Sequence, residues 1–319
     1  MSRKMLSVVD QMKAHNDTIS IACWEEENVL ASVIIIGVQA GKFHWKKKWT
    51  KESALGNFEE VARHLEIFLK PTKIRVENFL ILSRDVDLMK PIVDLLVTIS
   101  KTKNAKFHVE RAVIKVNIRE SNFALSLLSF LKPTYLEELY IGRHPAARVR
   151  VPFIMDEIKD VEQFQQAKTV KLIGLIISSD LELFWNFEKF HVEVDSLESV
   201  DLLRLRDKLS KPGNFKICTI RPPTTFANFA EITQTLGEHV PDGGIFAVKH
   251  LCSIENSEDI LHLFIRRNRI IIEKGDRIEL DEKYRDEELF EDDLEQFEDD
   301  DGDYFAEEGE EYNPSDDDN

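Results

Sequence analysis

The chain has 319 residues, 43% of them hydrophobic, enough to bury one large core or two smaller ones. Its net charge of −17 is uneven: residues 281–319 hold 21 Asp and Glu against Lys283 and Arg285, which leaves Met1–Leu280 near +2. Three scattered cysteines (Cys23, Cys218, Cys252) argue against a disulfide framework, the apolar run 29–38 is about half a membrane span, and the charge-interrupted start MSRKMLSVVDQMK lacks a signal peptide's apolar segment, so a soluble intracellular protein, cytoplasmic or nuclear, is expected.

Residues 1–56 read as strands and turns. Thr18–Trp24 and Val29–Val38 are β-rich and separated by the acidic turn Glu25–Asn28; Gly37 and Gly41 punctuate the chain before Lys42–Trp49. A β-hairpin or meander is expected. It contains the basic patch Lys46, Lys47, Lys48 and Lys51, flanked by Trp45 and Trp49, and rings beside cations would suit single-stranded nucleic acid. An edge hairpin with a charged outer side accounts for the same residues. With a nearly neutral body and an acidic terminus to repel phosphate, nucleic-acid binding is not expected.

From residue 57 to 280 helical and strand patterns alternate. Phe58, Val61, Leu65 and Phe68 form a helical stripe that stops at Pro71, and Phe123, Leu127 and Phe130 form another that stops at Pro133. The junctions repeat almost literally: Phe68-Leu69-Lys70-Pro71-Thr72 and Phe130-Leu131-Lys132-Pro133-Thr134, with Leu209-Ser210-Lys211-Pro212-Gly213 a looser copy. A strand follows each, with apolar residues at its first, fourth and sixth positions: Val76/Phe79/Ile81, Leu136/Leu139/Ile141 and Phe215/Cys218/Ile220. Val109/Ala112/Ile114, Ala167/Val170/Leu172 and Phe187/Phe190/Val192 share that spacing. The clearest unit runs from Phe190 to Ile220. Its strand alternates Phe190, Val192 and Val194 with polar residues, and its helix buries Leu202, Leu205 and Leu209 behind a serine cap at Ser199 or Ser196. Recurrence at 20 to 33 residues predicts an α/β, leucine-rich-repeat-like solenoid of helix–strand units. Two antiparallel strands near Ile260–Ile265 and Ile270–Leu280 should close it. Residues 281–319 are blocks of like charge and are expected to be a disordered acidic tail.

Two stretches resemble a known family. Glu162-Gln163-Phe164-Gln165-Gln166-Ala167-Lys168, followed by a strand, and the helix carrying Ser199, Leu202 and Leu205-Arg206-Asp207 are similar to the nematode FTH domain, most clearly over residues 100–240. Phe164 stands where that family usually has Trp. A fainter likeness, at Val9-Asp10-Gln11-Met12-Lys13, is to the stretch after the F-box in Caenorhabditis F-box A proteins. The resemblance implies an interaction module that captures a target protein, related to the substrate-recognition components of SCF-type ubiquitin ligases. In such proteins an F-box binds a Skp-type adaptor. Here only MSRKMLSVV precedes Asp10, so the F-box is expected to be missing and adaptor recruitment is not expected.

No nucleophile elbow, P-loop, dinucleotide fingerprint or metal-ligand spacing occurs, so no catalytic, cofactor-binding or metal-ligating residue is assigned and no enzymatic activity is expected. The expected partner surface is the exposed side of the repeat strands, at Glu138, Tyr140, His191, Glu193, Asp195, Lys216 and Thr219. The alternative is a basic-protein or nucleic-acid binder that uses Lys46–Lys48 together with the tail.

Overall fold

Strand-forming alternation dominates this chain, and the computed structural model joins thirteen strands in one mixed sheet. The structure describes residues 18–26, 31–40, 43–50, 60–61, 63, 75–83, 86–103, 107–116, 121–143, 151–178, 181–211, 213–227, 229–238 and 247–283. The chain divides into two compact units, Met1–Gly275 and Asp276–Asn319; the sheet belongs to the first.

Strands β1 (Thr18–Glu26), β2 (Ala31–Ala40) and β3 (Phe43–Thr50) make an antiparallel meander. β1 lies parallel to β4 (Arg75–Ser83). Parallel pairing continues through β5 (His108–Val116), β6 (Glu138–Gly142), β8 (Thr169–Ile177), β9 (Lys189–Val194) and β10 (Ile217–Arg221). The short β7 (Val151–Phe153) runs beside the second half of β8. Three antiparallel strands finish the sheet: β11 (Val248–Ser253), β12 (Ile260–Arg266) and β13 (Arg269–Gly275), with β13 docked on β10. The strand order is β3-β2-β1-β4-β5-β6-β8-β9-β10-β13-β12-β11.

The solenoid expectation is overturned by this sheet. Antiparallel strands stand at both sides of the parallel block, and helices do not alternate with every strand. The described helices of the first unit are α1 (Val86–Lys103), α2 (Ser121–Leu128), α3 (Glu162–Gln166), α4 (Ser199–Leu209) and α5 (Phe229–Thr235), besides helical residues at 60, 61 and 63. Among the described residues between β8 and β9, the helical element is a 3-10 turn, Leu181–Phe184. Aromatic side chains fill the place of the missing helix. Phe164 meets Phe187 edge-on at 5.1 Å between centroids and Phe184 at 6.2 Å, while Phe184 lies 5.5 Å from Phe190. Short connections leave no room for a full helical repeat, and large rings provide the buried area instead.

The core lies on the helix side. All eighteen strand positions named above, from Val76/Phe79/Ile81 to Phe215/Cys218/Ile220, are buried there, together with Ile19 and Ile21 of β1 and Leu261, Leu263, Ile270 and Ile272 of the closing strands. Helix α4 contributes Leu202, Leu205 and Leu209 as its spacing requires, but its cap differs from expectation. Ser199 is the first helical residue and Glu198 the cap, with no side-chain cap bond; the Ser199 hydroxyl is instead 2.8 Å from Glu231 Oε1 on α5. Cys218 is a buried apolar filler whose thiol is pushed far above its ordinary pKa by burial. In the second unit Asp276 caps α6 (Arg277–Lys283), accepting the N–H groups of Ile278 at 2.8 Å and Glu279 at 3.3 Å. The expected disorder beyond Lys283, and most of the helix expected at 58–68, lie outside the described residues.

Candidate functional site

The second face of the sheet is polar in its middle. Residues paired directly across parallel or antiparallel strands share a face, so the register can be followed from strand to strand. Leu80, Val113, Tyr140, Lys171, His191, Thr219, Ile271 and Phe264 form one continuous row over eight strands. Its two flanks are closed. Leu80, Val113 and Tyr140 make a small buried cluster with Ile173 against it, and Ile271 and Phe264 are buried on the other side. Lys171, His191 and Thr219 between them are half-buried, as is Arg221 one step further along β10.

Of the seven residues expected on an exposed surface, this row brings together Tyr140, His191 and Thr219. Tyr140 is not exposed: it packs on Leu80 and Val113, with the Lys115 ammonium 4.9 Å from its ring centroid. Glu193 is not exposed either, at 2%. The cause is a bulge in β8. Lys171 pairs with His191 but Ile176 with Glu193, so β8 carries three extra residues there. Gly174 lies in that bulge at φ +70°, and its N–H, displaced from the ladder, donates to Glu193 Oε1 at 2.9 Å. A buried carboxylate is tolerated because it satisfies a backbone donor. Any Cβ at Gly174 would stand 3.2 Å from Arg143 Cβ.

The other three lie elsewhere. Glu138 is exposed, one step before the row, and pairs with Arg111 at 3.5 Å. Asp195 follows the end of β9, and Lys216 precedes β10, where its ammonium contacts Glu188 Oε2 at 2.7 Å. With β9 and β10 parallel, these two sit roughly 20 Å apart at opposite strand ends. Lys46, Lys47 and Lys48 lie on β3, their backbones paired with Gly37, Ile36 and Ile35; Lys51 is outside the described residues.

Lys171 and Arg221 escaped the sequence reading, although alternation from Val170 and Thr219 places both on this face. They set its electrostatics. Burial, then the positive charges of Arg221 and Lys171, lower the pKa of His191 from 6.5 to about 3, so its imidazole is neutral at physiological pH. Its Nε2 atom is buried and has no hydrogen-bond partner. The face therefore carries Lys171, Arg221 and a neutral imidazole beside the buried Glu193 carboxylate, with Arg269 and Glu273 of β13 next to Thr219 and Arg221 on the same side.

Comparison with known families finds an FTH domain at residues 90–238. That span runs from within α1 to the end of α5 and contains β5 to β10. No curated protein and no solved structure matches the chain. Both stretches that resemble the family serve the core. Gln163 donates from Nε2 to the Leu131 carbonyl at 2.7 Å in a buried site, Phe164 joins the aromatic cluster, and α4 buries its leucines.

Proposed function

We propose that this chain is a non-catalytic protein-binding module that captures a target protein on the half-exposed strip around His191 and Thr219, as a recognition component related to SCF-type ubiquitin ligases. The FTH domain suggests an F-box-associated protein-interaction role, and its span coincides with the strands that carry the strip; that coincidence is the observation supporting capture there. The strip is also the part of this row that stays half-exposed, at Lys171, His191 and Thr219, between two closed apolar flanks. The connection to ubiquitin ligases is supported by the family alone.

A photo-crosslinking residue placed at Thr219, compared with one at exposed Glu162, tests the reading. A defined protein should be trapped from Thr219 and lost when Thr219→Arg is introduced beside a crosslinker at Lys171. Equal trapping from both positions, or trapping that survives Thr219→Arg, sinks it. If the trapped protein decays at the same rate after depletion of this chain, capture stands and the ligase connection falls.

A further inference from the structure

The two ends of the sheet are guarded differently. Among the described residues the strand order stops at β3 on one side and at β11 on the other, so each has an edge that no described strand pairs with. Such edges are usually shielded by charge, proline or a bulge, because their outward N–H and C=O groups are a template for another chain. β3 carries Lys46, Lys47 and Lys48 in succession. β11 has Lys249 as its one residue of fixed charge, no proline and an unbroken register with β12, and Leu251 near its middle is 38% exposed. The register also decides which backbone groups point outward. Arg266 and Arg269 flank a two-residue turn, and such a closing pair exchanges both of its hydrogen bonds. Bonded pairs alternate along a ladder, so the even residues of β12 bond β13 and the even residues of β13 turn to β10. The Lys274 N–H, which donates to the Lys216 carbonyl at 2.8 Å, agrees with that parity. The odd residues of β12 are left for Val248, His250 and Cys252 of β11. Lys249, Leu251 and Ser253 therefore direct their backbone groups away from β12.

We propose that β11 is a self-association edge, to which a second copy of this chain adds its own β11, antiparallel about a two-fold axis at Leu251. This goes beyond target capture and does not depend on it. With the axis there, the two exposed leucines face each other, Lys249 lies opposite Ser253 of the second copy, and His250 lies opposite Cys252. Leu251 exchanges both bonds with Leu251 of the second copy, and each Ser253 N–H reaches the Lys249 carbonyl opposite. Lys249 has an interaction of its own, and the pairing asks only for its carbonyl, which has two lone pairs to offer. An axis at Lys249 would set like charges face to face. One at His250 or Cys252 gives two outward pairs, where Leu251 gives three. A foreign strand could satisfy the same N–H groups, but the register with most bonds is also the one in which β11 meets itself without like charges opposed. A six-residue edge buries less than the roughly 1,600 Å² of a standard interface, so a weak dimer is expected, half-formed at about 10–100 µM.

The test uses the full chain, followed by sedimentation velocity from about 1 to about 300 µM and by backbone amide exchange at both ends of that range. The unaltered chain should pass from monomer to dimer. Its Leu251 and Ser253 amides should exchange readily when dilute and at least about tenfold more slowly when concentrated. Leu251→Lys and Leu251→Glu should each weaken self-association about tenfold or more, because the axis sets each new charge against itself. Mixed in equal amounts, the two variants should regain it as a heterodimer, since the same axis then pairs opposite charges. Ile154→Lys, at another exposed apolar side chain, should leave the dimer intact. A monomer over the whole range, a dimer that survives both Leu251 variants, or a mixture that stays monomeric overturns the proposal. So does slow exchange of the Leu251 and Ser253 amides in the dilute chain, which would mean that the edge is already occupied. Should a variant fail to fold, the unaltered chain still decides: equal exchange of these two amides at both concentrations overturns the proposal.

Discussion

His191 shows how one side chain reports its surroundings. Its pKa is lowered from 6.5 to about 3, first by burial and then by Arg221 and Lys171. In acid the unfolded chain takes up a proton that the folded chain refuses, so the contribution of this residue to stability is complete above about pH 6.5 and is lost as pH falls toward 3. An NMR titration should find this imidazole neutral down to at least pH 5, and His191→Asn should flatten the stability–pH slope between pH 6.5 and 4. A midpoint near 6.5 in the folded chain would contradict the burial. Helix α4 gives a second contrast at this scale. Leu205 is fully buried, while the Arg204 side chain is 60% exposed beside Asp201 at 3.7 Å. In urea titrations Leu205→Ala should cost about 2–5 kcal/mol and Arg204→Ala no more than about 0.5 kcal/mol.

Between residues and the fold, the bulge in β8 and the short helix α3 are the elements that shape the site. The bulge turns Glu193 from a surface acid into the acceptor of a stranded N–H, and it depends on a left-handed residue at Gly174. Gly174→Ala should cost about 1–2 kcal/mol from backbone strain and should also crowd Arg143, read as a lower unfolding midpoint together with a shifted His191 resonance. A variant as stable as the parent would mean that the bulge relaxes without strain. Helix α3 is too short to be stable by itself and is anchored at one end by Gln163 on the Leu131 carbonyl. Gln163→Leu leaves that buried carbonyl without its donor, and a loss of about 1–3 kcal/mol is expected from denaturant unfolding.

At the scale of the whole sheet, one apolar cluster runs from Ile19 in β1 to Ile272 in β13 along a single face. Parallel and antiparallel strands therefore share a core, although they are built from different parts of the chain. Leu139→Ala in β6 and Leu263→Ala in β12 should shift the same unfolding transition, with tryptophan fluorescence and far-UV circular dichroism coinciding in each variant. Two separated transitions would mean that the closing strands fold as a unit of their own. Among the described residues no helix is long and apolar enough to cross a membrane.

By itself the sequence determined which residues are buried on the helix side, because a three-then-two spacing of apolar residues works locally: Phe190, Val192 and Cys218 must turn inward whatever lies beside them. It also determined the leucine stripe of α4 and the FTH-like stretches that prove to be core elements. The solenoid went wrong because strand spacing says nothing of what joins the strands, and rings such as Phe164, Phe184 and Phe187 can cover a sheet where a helix is absent. The site was legible only in part. Alternation placed Tyr140, His191 and Thr219 on one face, but whether that face is open depends on neighbours far away in the chain. Only tertiary structure could bury Tyr140 against Leu80 and Val113, sixty and twenty-seven residues earlier, and bring Lys171 and Arg221 around a histidine that lies between them in sequence. Local periodicity is a property of the chain; the register that sets charges side by side belongs to the folded sheet alone.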